Sequence, residues 1–360
     1  MNGFPATSSA EVTRGERPFR RQLEDRLSFL GPYIGLILVV ALFSYFTWQR
    51  GALHLFLSLD NFKLVAVHAA IPATVALGMT MIMISGGIDL SVGYVVSLVT
   101  VVTMLGYRWA ANQPFLSEFA GVCAIGMGVG TGALFGWSNG ILITRLKVVP
   151  FVVTLGMMGV ARGIAQYLSG GEAVTFADPR HTERVLSEPR WVSWLGAIQP
   201  EPRWLGVGPA ALGVCVLALA VAVVLHFTVL GRYCYALGSN EATARLCGVN
   251  VGRTKVILYT MAGVLTGWGG ILQFARSGAG LHDVAAGMEL EVIAAVVIGG
   301  GSLLGGEGTV VGTLVGALLI TLLANGCSKL KLPMEFRFVV IGLIIVVVSA
   351  LNSWRQRRLR

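Results

Sequence analysis

Apolar runs of about twenty residues, each long enough to cross the hydrocarbon core of a bilayer, constrain this chain more than any motif does. They lie at about 30–49, 63–85, 90–110, 118–144, 148–169, 208–230, 256–276, 288–300, 307–327 and 336–353. Such a pattern predicts an all-α, polytopic integral membrane bundle of about ten transmembrane helices. Two runs are irregular. The third follows Gly86-Gly87-Ile88-Asp89, and the eighth is short and runs into Gly299-Gly300-Gly301, so one or two broken or re-entrant segments are expected. Composition agrees: 55% of the residues are hydrophobic and 12% charged, against about 25% charged in an average soluble domain. A soluble enzyme, a disordered chain and a disulfide scaffold are thereby excluded.

Charge then divides the chain. Lys and Arg number 27 against 18 Asp and Glu, a formal net charge of +9. The basic residues flank apolar runs, as retained cytoplasmic loops do, and none forms a patch interleaved with aromatics, so nucleic acid is not an expected partner. Residues 1–29 read as a cytoplasmic N-terminal tail with five arginines from Arg14 to Arg26, too long for a signal-peptide n-region. Residues 30–353 form the transmembrane domain and 354–360 a basic cytoplasmic tail. Within the domain, 170–207 reads as a folded external loop, since its proline, tryptophan and mixed charge suit one. The five cysteines include no CxxC pair and the five histidines are scattered, so neither disulfide nor metal site is expected.

Glycine spacing points to close helix packing. Gly128, Gly132, Gly136 and Gly140 recur every four residues, as do Gly308, Gly312 and Gly316, and Gly263 pairs with Gly267. Each row puts small residues on one helix face, where a neighbouring backbone can approach. Packing within the chain explains such rows more economically than a subunit interface.

Two polar constellations interrupt the apolar background. The first is Ser85-Gly86-Gly87-Ile88-Asp89-Leu90-Ser91-Val92-Gly93. A carboxylate at membrane depth must face protein or water, and broken helices persist only where their freed backbone groups find partners. This reads as a discontinuous segment near a translocation path, with Asp89 and Ser91 also able to cap the next helix. A weaker echo follows at Ile298-Gly299-Gly300-Gly301-Ser302-Leu303-Leu304-Gly305-Gly306, and broken helices at matching positions are a transporter feature.

The second constellation is the polar stretch 231–255. Gly238-Ser239-Asn240 reads as a turn, and Glu241–Leu246 as a short helix with Asn240 as its cap and Gly248 as its stop. So short and polar a helix has little reason to be stable alone. It is either a docking element for a cytoplasmic partner or an ordinary solvated hairpin. No GxxxxGK[ST] occurs, so the chain has no P-loop, and no HExxH or GxSxG suggests catalysis. Intramembrane acids are few (Asp89, Glu289, Glu291, Glu307), thin for an ion relay.

From about residue 60 to 350 the chain resembles the membrane-spanning permease subunits of bacterial ribose-type sugar ABC importers. The resemblance rests on Leu77-Gly78-Met79-Thr80, then Gly86 to Gly93, Asn139-Gly140, Pro150-Phe151-Val152-Val153-Thr154-Leu155-Gly156 and Ala161-Arg162-Gly163. It continues through Tyr235-Ala236-Leu237-Gly238-Ser239-Asn240-Glu241 with Ala244-Arg245-Leu246 and Gly248-Val249, then Ala294 to Gly300 and Gly305 to Thr313. It implies a subunit of the inner membrane with no cofactor of its own. The implied partners are a second permease copy or paralogue, a cytoplasmic ATPase binding ATP and Mg, a periplasmic sugar-binding protein and the lipid bilayer. By that resemblance 231–255 is the ATPase-coupling loop, carried by Gly238, Ser239, Asn240, Glu241, Arg245, Leu246 and Gly248. Gly86, Gly87, Asp89, Ser91, Gly93, Asn139 and Gly300 become translocation-path or broken-helix candidates. The rival expectation is an ion-coupled secondary transporter of a small polar solute, using Asp89 and Glu291.

Overall fold

The structure, a computed structural model, describes residues 16–177, 186–198 and 206–333, together with Val339, Gly342 and Leu343. The expected tenth run at 336–353, apart from those three positions, therefore lies outside the described residues, as do residues 1–15 of the N-terminal tail and the tail 354–360. Thirteen α-helices and no strand occur among the described residues. Among the described residues, eight helical stretches are long and apolar enough to cross a membrane.

Helix α1 (Glu16–Gln49) continues the first apolar run back into the polar N-terminal region. After the single turn α2 (Leu53–Phe56), the Ser58 hydroxyl caps α3 (Leu59–Ile84) by accepting from the Asn61 amide. α3 is the axis of the bundle, buried along almost its whole length. Around it pack α8 (Pro209–Phe227), α11 (Val251–Ser277), α12 (Met288–Ile298) and α13 (Val310–Lys329). α4 (Val92–Ala111) and α5 (Ala120–Leu146) lie against α11, and α6 (Pro150–Ser169) lies on α4.

The glycine rows act inside the chain. A Cβ on Gly140 would come 2.7 Å from the Val256 Cα of α11, and one on Gly136 would collide with the Tyr259 carbonyl. Gly263 and Gly267 answer from the other helix, 2.9 Å from Gly136 Cα and 2.8 Å from Val129 Cα. Gly312 and Gly316 do the same for α13, against the carbonyls of Gly299 and Ala295 in and after α12. Backbones this close leave no room for a side chain.

The two irregular runs differ. The third is a continuous twenty-residue helix, α4, and its break precedes it at 85–91. In the eighth, α12 has only eleven residues, a length of about 16 Å that cannot span a bilayer. The remaining distance is covered by 278–287, which runs unwound along α4. Thr100 Oγ1 donates to Leu281 O at 3.0 Å and accepts from Leu281 N at 2.9 Å, and Ser97 Oγ accepts from Ala285 N at 3.0 Å. These hydroxyls do for an unwound backbone what water does elsewhere.

The external loop of the sequence reading is described only in part. It contains α7 (Arg190–Gly196), and its first residues are pinned by Val174, which exchanges two backbone hydrogen bonds with Gly280 at 2.9 and 2.8 Å. Buried Arg108 of α4 donates to Thr175 O at 2.6 Å.

Candidate functional site

The polar stretch after α8 is more ordered than its composition suggested. Residues Val229–Ser239 form a helix, α9, started by the Thr228 hydroxyl, which accepts from Gly231 N at 3.3 Å. Gly238 and Ser239 are its last residues and not a turn. The reason is a buried contact: Cys234 and Leu237 point inward, Cys234 Sγ donates to Met81 O at 3.2 Å, and Tyr235 OH donates to Gly308 O at 2.9 Å. With one face packed on α8, α3 and α11, eleven residues of modest propensity hold as helix.

Helix α10 (Glu241–Leu246) follows at once, with the caps read from sequence. Asn240 Oδ1 accepts from Thr243 N at 2.9 Å, and Gly248 takes φ +85°, a left-handed conformation that suits glycine. Glu241 is held by two cations, Lys255 Nζ at 2.6 Å and Arg245 Nη2 at 3.1 Å. The hydrogen bond from Lys255 is the main cause that brings its carboxyl below the usual range, with the nearby positive charges adding to it. Leu246 is 89% exposed beside a largely exposed Arg245, so α10 presents an apolar tip and a cation outward.

Where α9 meets α10, three glycine backbones from three distant parts of the chain converge. Gly305 has its Cβ position 2.9 Å from Gly86 Cα and 3.0 Å from Gly238 Cα. Gly306 N donates to Ile84 O at 2.8 Å, tying the 299–309 loop to the end of α3. A Cβ on Gly238 would strike both Ile84 O and Gly306 N. Gly86, Gly305 and Gly306 all have positive φ, between +79° and +92°. Both glycine-rich breaks noted in the sequence thus meet at the root of α10. Gly300 stands apart, at φ +90° with open space beside it.

One turn deeper lies a buried polar cluster. Asp89 Oδ1 accepts from Ser91 N at 2.8 Å and from Ser91 Oγ at 2.6 Å. Asn139 Nδ2 of α5 donates to Asp89 Oδ2 at 3.1 Å and to Ser91 Oγ at 3.0 Å. All three residues are at least 95% buried. Ser91 sits in the N-cap position of α4 without a side-chain capping bond, so Asp89 captures the amide while Asn139 ties the break to α5. Gly87 lies against the Tyr259 hydroxyl of α11, and a cavity of about 10 Å³ separates Asp89 and Ser91 from Gly132, Gly136 and Thr266. That is room for about one water. Gly93 faces the opposite way, toward Ala285 O and the Glu289 carboxylate.

Of the residues singled out from sequence, Gly86, Gly238 and Ser239 share the glycine junction, and Gly87, Asp89, Ser91 and Asn139 share the buried cluster. Arg245, Leu246 and Gly248 occupy the exposed surface. Sequence reading missed Tyr235 as a strut to Gly308, Gly305 and Gly306 as partners of Gly238, and the hydroxyls of Ser97 and Thr100. Among the described residues no group of three His, Cys, Asp or Glu side chains is arranged to hold a metal.

Comparison with known proteins gives a consistent picture. Residues 61–349 match the family described as branched-chain amino acid transport system/permease component. The chain is 33% identical over 301 residues to the ribose import permease protein RbsC of Escherichia coli K12, covering 84% of this chain and 88% of that protein. It is 36% identical over 325 residues to the probable ABC transporter permease protein YphD of the same organism, 90% of each. It is also 32% identical over 298 residues to the autoinducer 2 import system permease protein LsrC of Photorhabdus luminescens, 82% of each. No solved structure matches the chain.

Proposed function

This chain belongs to the branched-chain amino acid transport system/permease component family, and from that membership we propose that it is the membrane-spanning subunit of an ABC importer for a ribose-like sugar. It works as a multi-pass protein of the bacterial inner membrane. ATP and Mg bind a separate cytoplasmic subunit, a periplasmic sugar-binding protein delivers cargo, and a second permease copy or paralogue completes the path. Sugar is favoured over amino acid as cargo because the ribose and autoinducer 2 permeases align over more than four-fifths of their length. The chain itself is a transport subunit and not an enzyme.

The observation that carries this reading is the junction of Gly238 with Gly86 and Gly305. A partner that engages Arg245 and Leu246 on α10 pushes α9, and α9 cannot move without moving both interrupted segments. Asp89, Ser91 and Asn139 relay that displacement to α5 and the start of α4. Force applied outside the bilayer is thereby delivered to the broken helices inside it, which is what a permease without a P-loop requires.

Purification of the solubilised chain from its native membrane, followed by reconstitution with the proteins it retains, tests the proposal. Ribose uptake is expected to need the ATPase subunit and ATP. Uptake that instead follows an ion gradient, without any ATPase, would replace this reading by ion coupling through Asp89 or Glu291.

A further inference from the structure

One basic residue is out of place. Within the candidate membrane spans of the described residues, every other Lys or Arg lies within five residues of a span's end, where its charge reaches the interface. Arg162 does not. Its Cα lies about 18 Å along a helix of about 30 Å, counted from Pro150 at 1.5 Å per residue. Helical side chains lean toward the N-terminus, so the guanidinium is carried back toward the middle of α6. Its position confirms this: it stacks 5.5 Å from the ring centroid of Tyr94, three residues beyond Ser91 at the start of α4. It is therefore not snorkelling toward the nearer end at Ser169.

Arg162 is nevertheless exposed on the outside of this chain, and it forms no ion pair among the described residues. Gly159 and Gly163 flank it with no heavy atom within 4 Å of a Cβ built on either. Gln166, one turn on, is exposed on the same face. A guanidinium at mid-membrane turned to lipid is costly, and such residues face a water-filled cavity or another protein. The open glycines leave room beside it for a solute, and an arginine carries five donors in a fixed fork that can grip adjacent hydroxyls.

We propose that Arg162, set above Tyr94 and between Gly159 and Gly163, is a hydroxyl-binding station for the sugar, on a face of α6 that looks onto the translocation path between two permease subunits and not onto lipid. The assignment rests on the permease reading above and adds to it a single side chain that contacts cargo.

Two measurements test it. The first is ATP-driven uptake of radiolabelled ribose by the full complex in proteoliposomes. Arg162→Leu is expected to lower uptake about 10- to 100-fold, the worth of one or two charge-assisted hydrogen bonds, while co-purification with the ATPase is unchanged. Arg162→Lys, which keeps the charge and loses the fork, should fall between. The second measurement is labelling of Gly159→Cys by a membrane-impermeant cationic methanethiosulfonate. The parent chain with its five cysteines serves as blank, and Val216→Cys on the exposed face of α8 serves as the lipid-side control. Gly159→Cys should label rapidly and Val216→Cys should not. Parent-level uptake by Arg162→Leu, or a Gly159→Cys as inert as Val216→Cys, overturns the proposal. Labelling needs neither a known cargo nor a folded Leu variant. A complex that fails to take up ribose but still labels at position 159 would count against the cargo assigned above and in favour of the wet face.

Discussion

Gly238→Ala separates two views of the α9–α10 junction by the sign of its effect. If Gly238 were an ordinary helical glycine, alanine would stabilise α9 by up to about 1 kcal/mol through helix propensity. The structure requires the opposite. The added methyl would overlap Ile84 O and Gly306 N, and the Ile84 carbonyl carbon would lie at 3.0 Å; all are backbone atoms that no rotamer change can move aside. Overpacking of this kind costs about 1–3 kcal/mol. Relief by separation would break the buried bond from Gly306 N to Ile84 O, at a further cost of about 1–3 kcal/mol. The expected net is a destabilisation of about 1–5 kcal/mol, so the clash outweighs propensity. The assay has two arms. Thermal unfolding of the detergent-solubilised variant should start earlier than the parent's, whereas Gly213→Ala, with nothing within 4 Å of its Cβ position, should be neutral or stabilising. In the reconstituted complex, Gly238→Ala should keep ATP hydrolysis and lose most of the uptake that accompanies it. An alanine variant at least as stable as the parent, with an unchanged ratio of sugar moved to ATP consumed, would refute the junction as a mechanical link.

Three further outcomes are expected. Tyr235→Phe removes only the hydroxyl that reaches Gly308 O; it should cost about 0.5–1.5 kcal/mol in thermal unfolding and lower uptake per ATP without a clash to confuse the result. Asp89→Asn should fold, because its amide oxygen can still accept from Ser91 and Asn139 can rotate to offer its unpartnered Oδ1. Asp89→Ala should lose about 1–3 kcal/mol, since Ser91 and Asn139 are left with buried, unpaired donors; equal unfolding of the two variants would dismiss the cluster as a clip. The attachment of α10 should depend on pH through Glu241. Its carboxyl is held below the unfolded value by Lys255 first, so its contribution is complete above the ordinary carboxylate range and fades as pH falls through the lowered folded value. Co-purification of the ATPase should thus be level from pH 8 to pH 5 in the parent, and Glu241→Gln should weaken it across that range.

Much of this architecture could be read from residue order, and what could not has a common cause. Helix existence follows from local apolar length, and the ends of α10 from Asn240 and Gly248, which act on their own neighbours. The four-residue glycine row in α5 announced a close contact, though only the structure identifies α11 as the other side. The turn expected at Gly238-Ser239-Asn240 is instead the end of a helix, because the stability of α9 comes from Met81 and Gly308, far along the chain, and local propensity carries no trace of that. The same holds for the glycine junction. Gly86, Gly238 and Gly305 each look like flexible punctuation in sequence, yet Gly238 and Gly305 are there because another backbone occupies the space of the side chain, and Gly86 because its φ is +81°.

Residues 278–287 show why an interruption inside a membrane need not be a weakness. An unwound strand in lipid would leave each amide without a partner, at several kcal/mol apiece. Here α4 supplies the partners from its own face: Ser97 Oγ donates to Gly93 O at 3.2 Å within the helix and accepts from Ala285 N, while Thr100 Oγ1 faces both Ser97 O at 2.7 Å and Leu281 O at 3.0 Å. Each hydroxyl therefore has an intrahelical acceptor whether or not the unwound segment is in place. Displacing 278–287 would leave each hydroxyl an intrahelical acceptor and cost the freed amides of Leu281 and Ala285 together with the two backbone bonds between Gly280 and Val174. The segment that looks weakest for spanning a bilayer is thus held by α4 and Val174, and it leads directly into α12, whose far end reaches the loop held at Gly238.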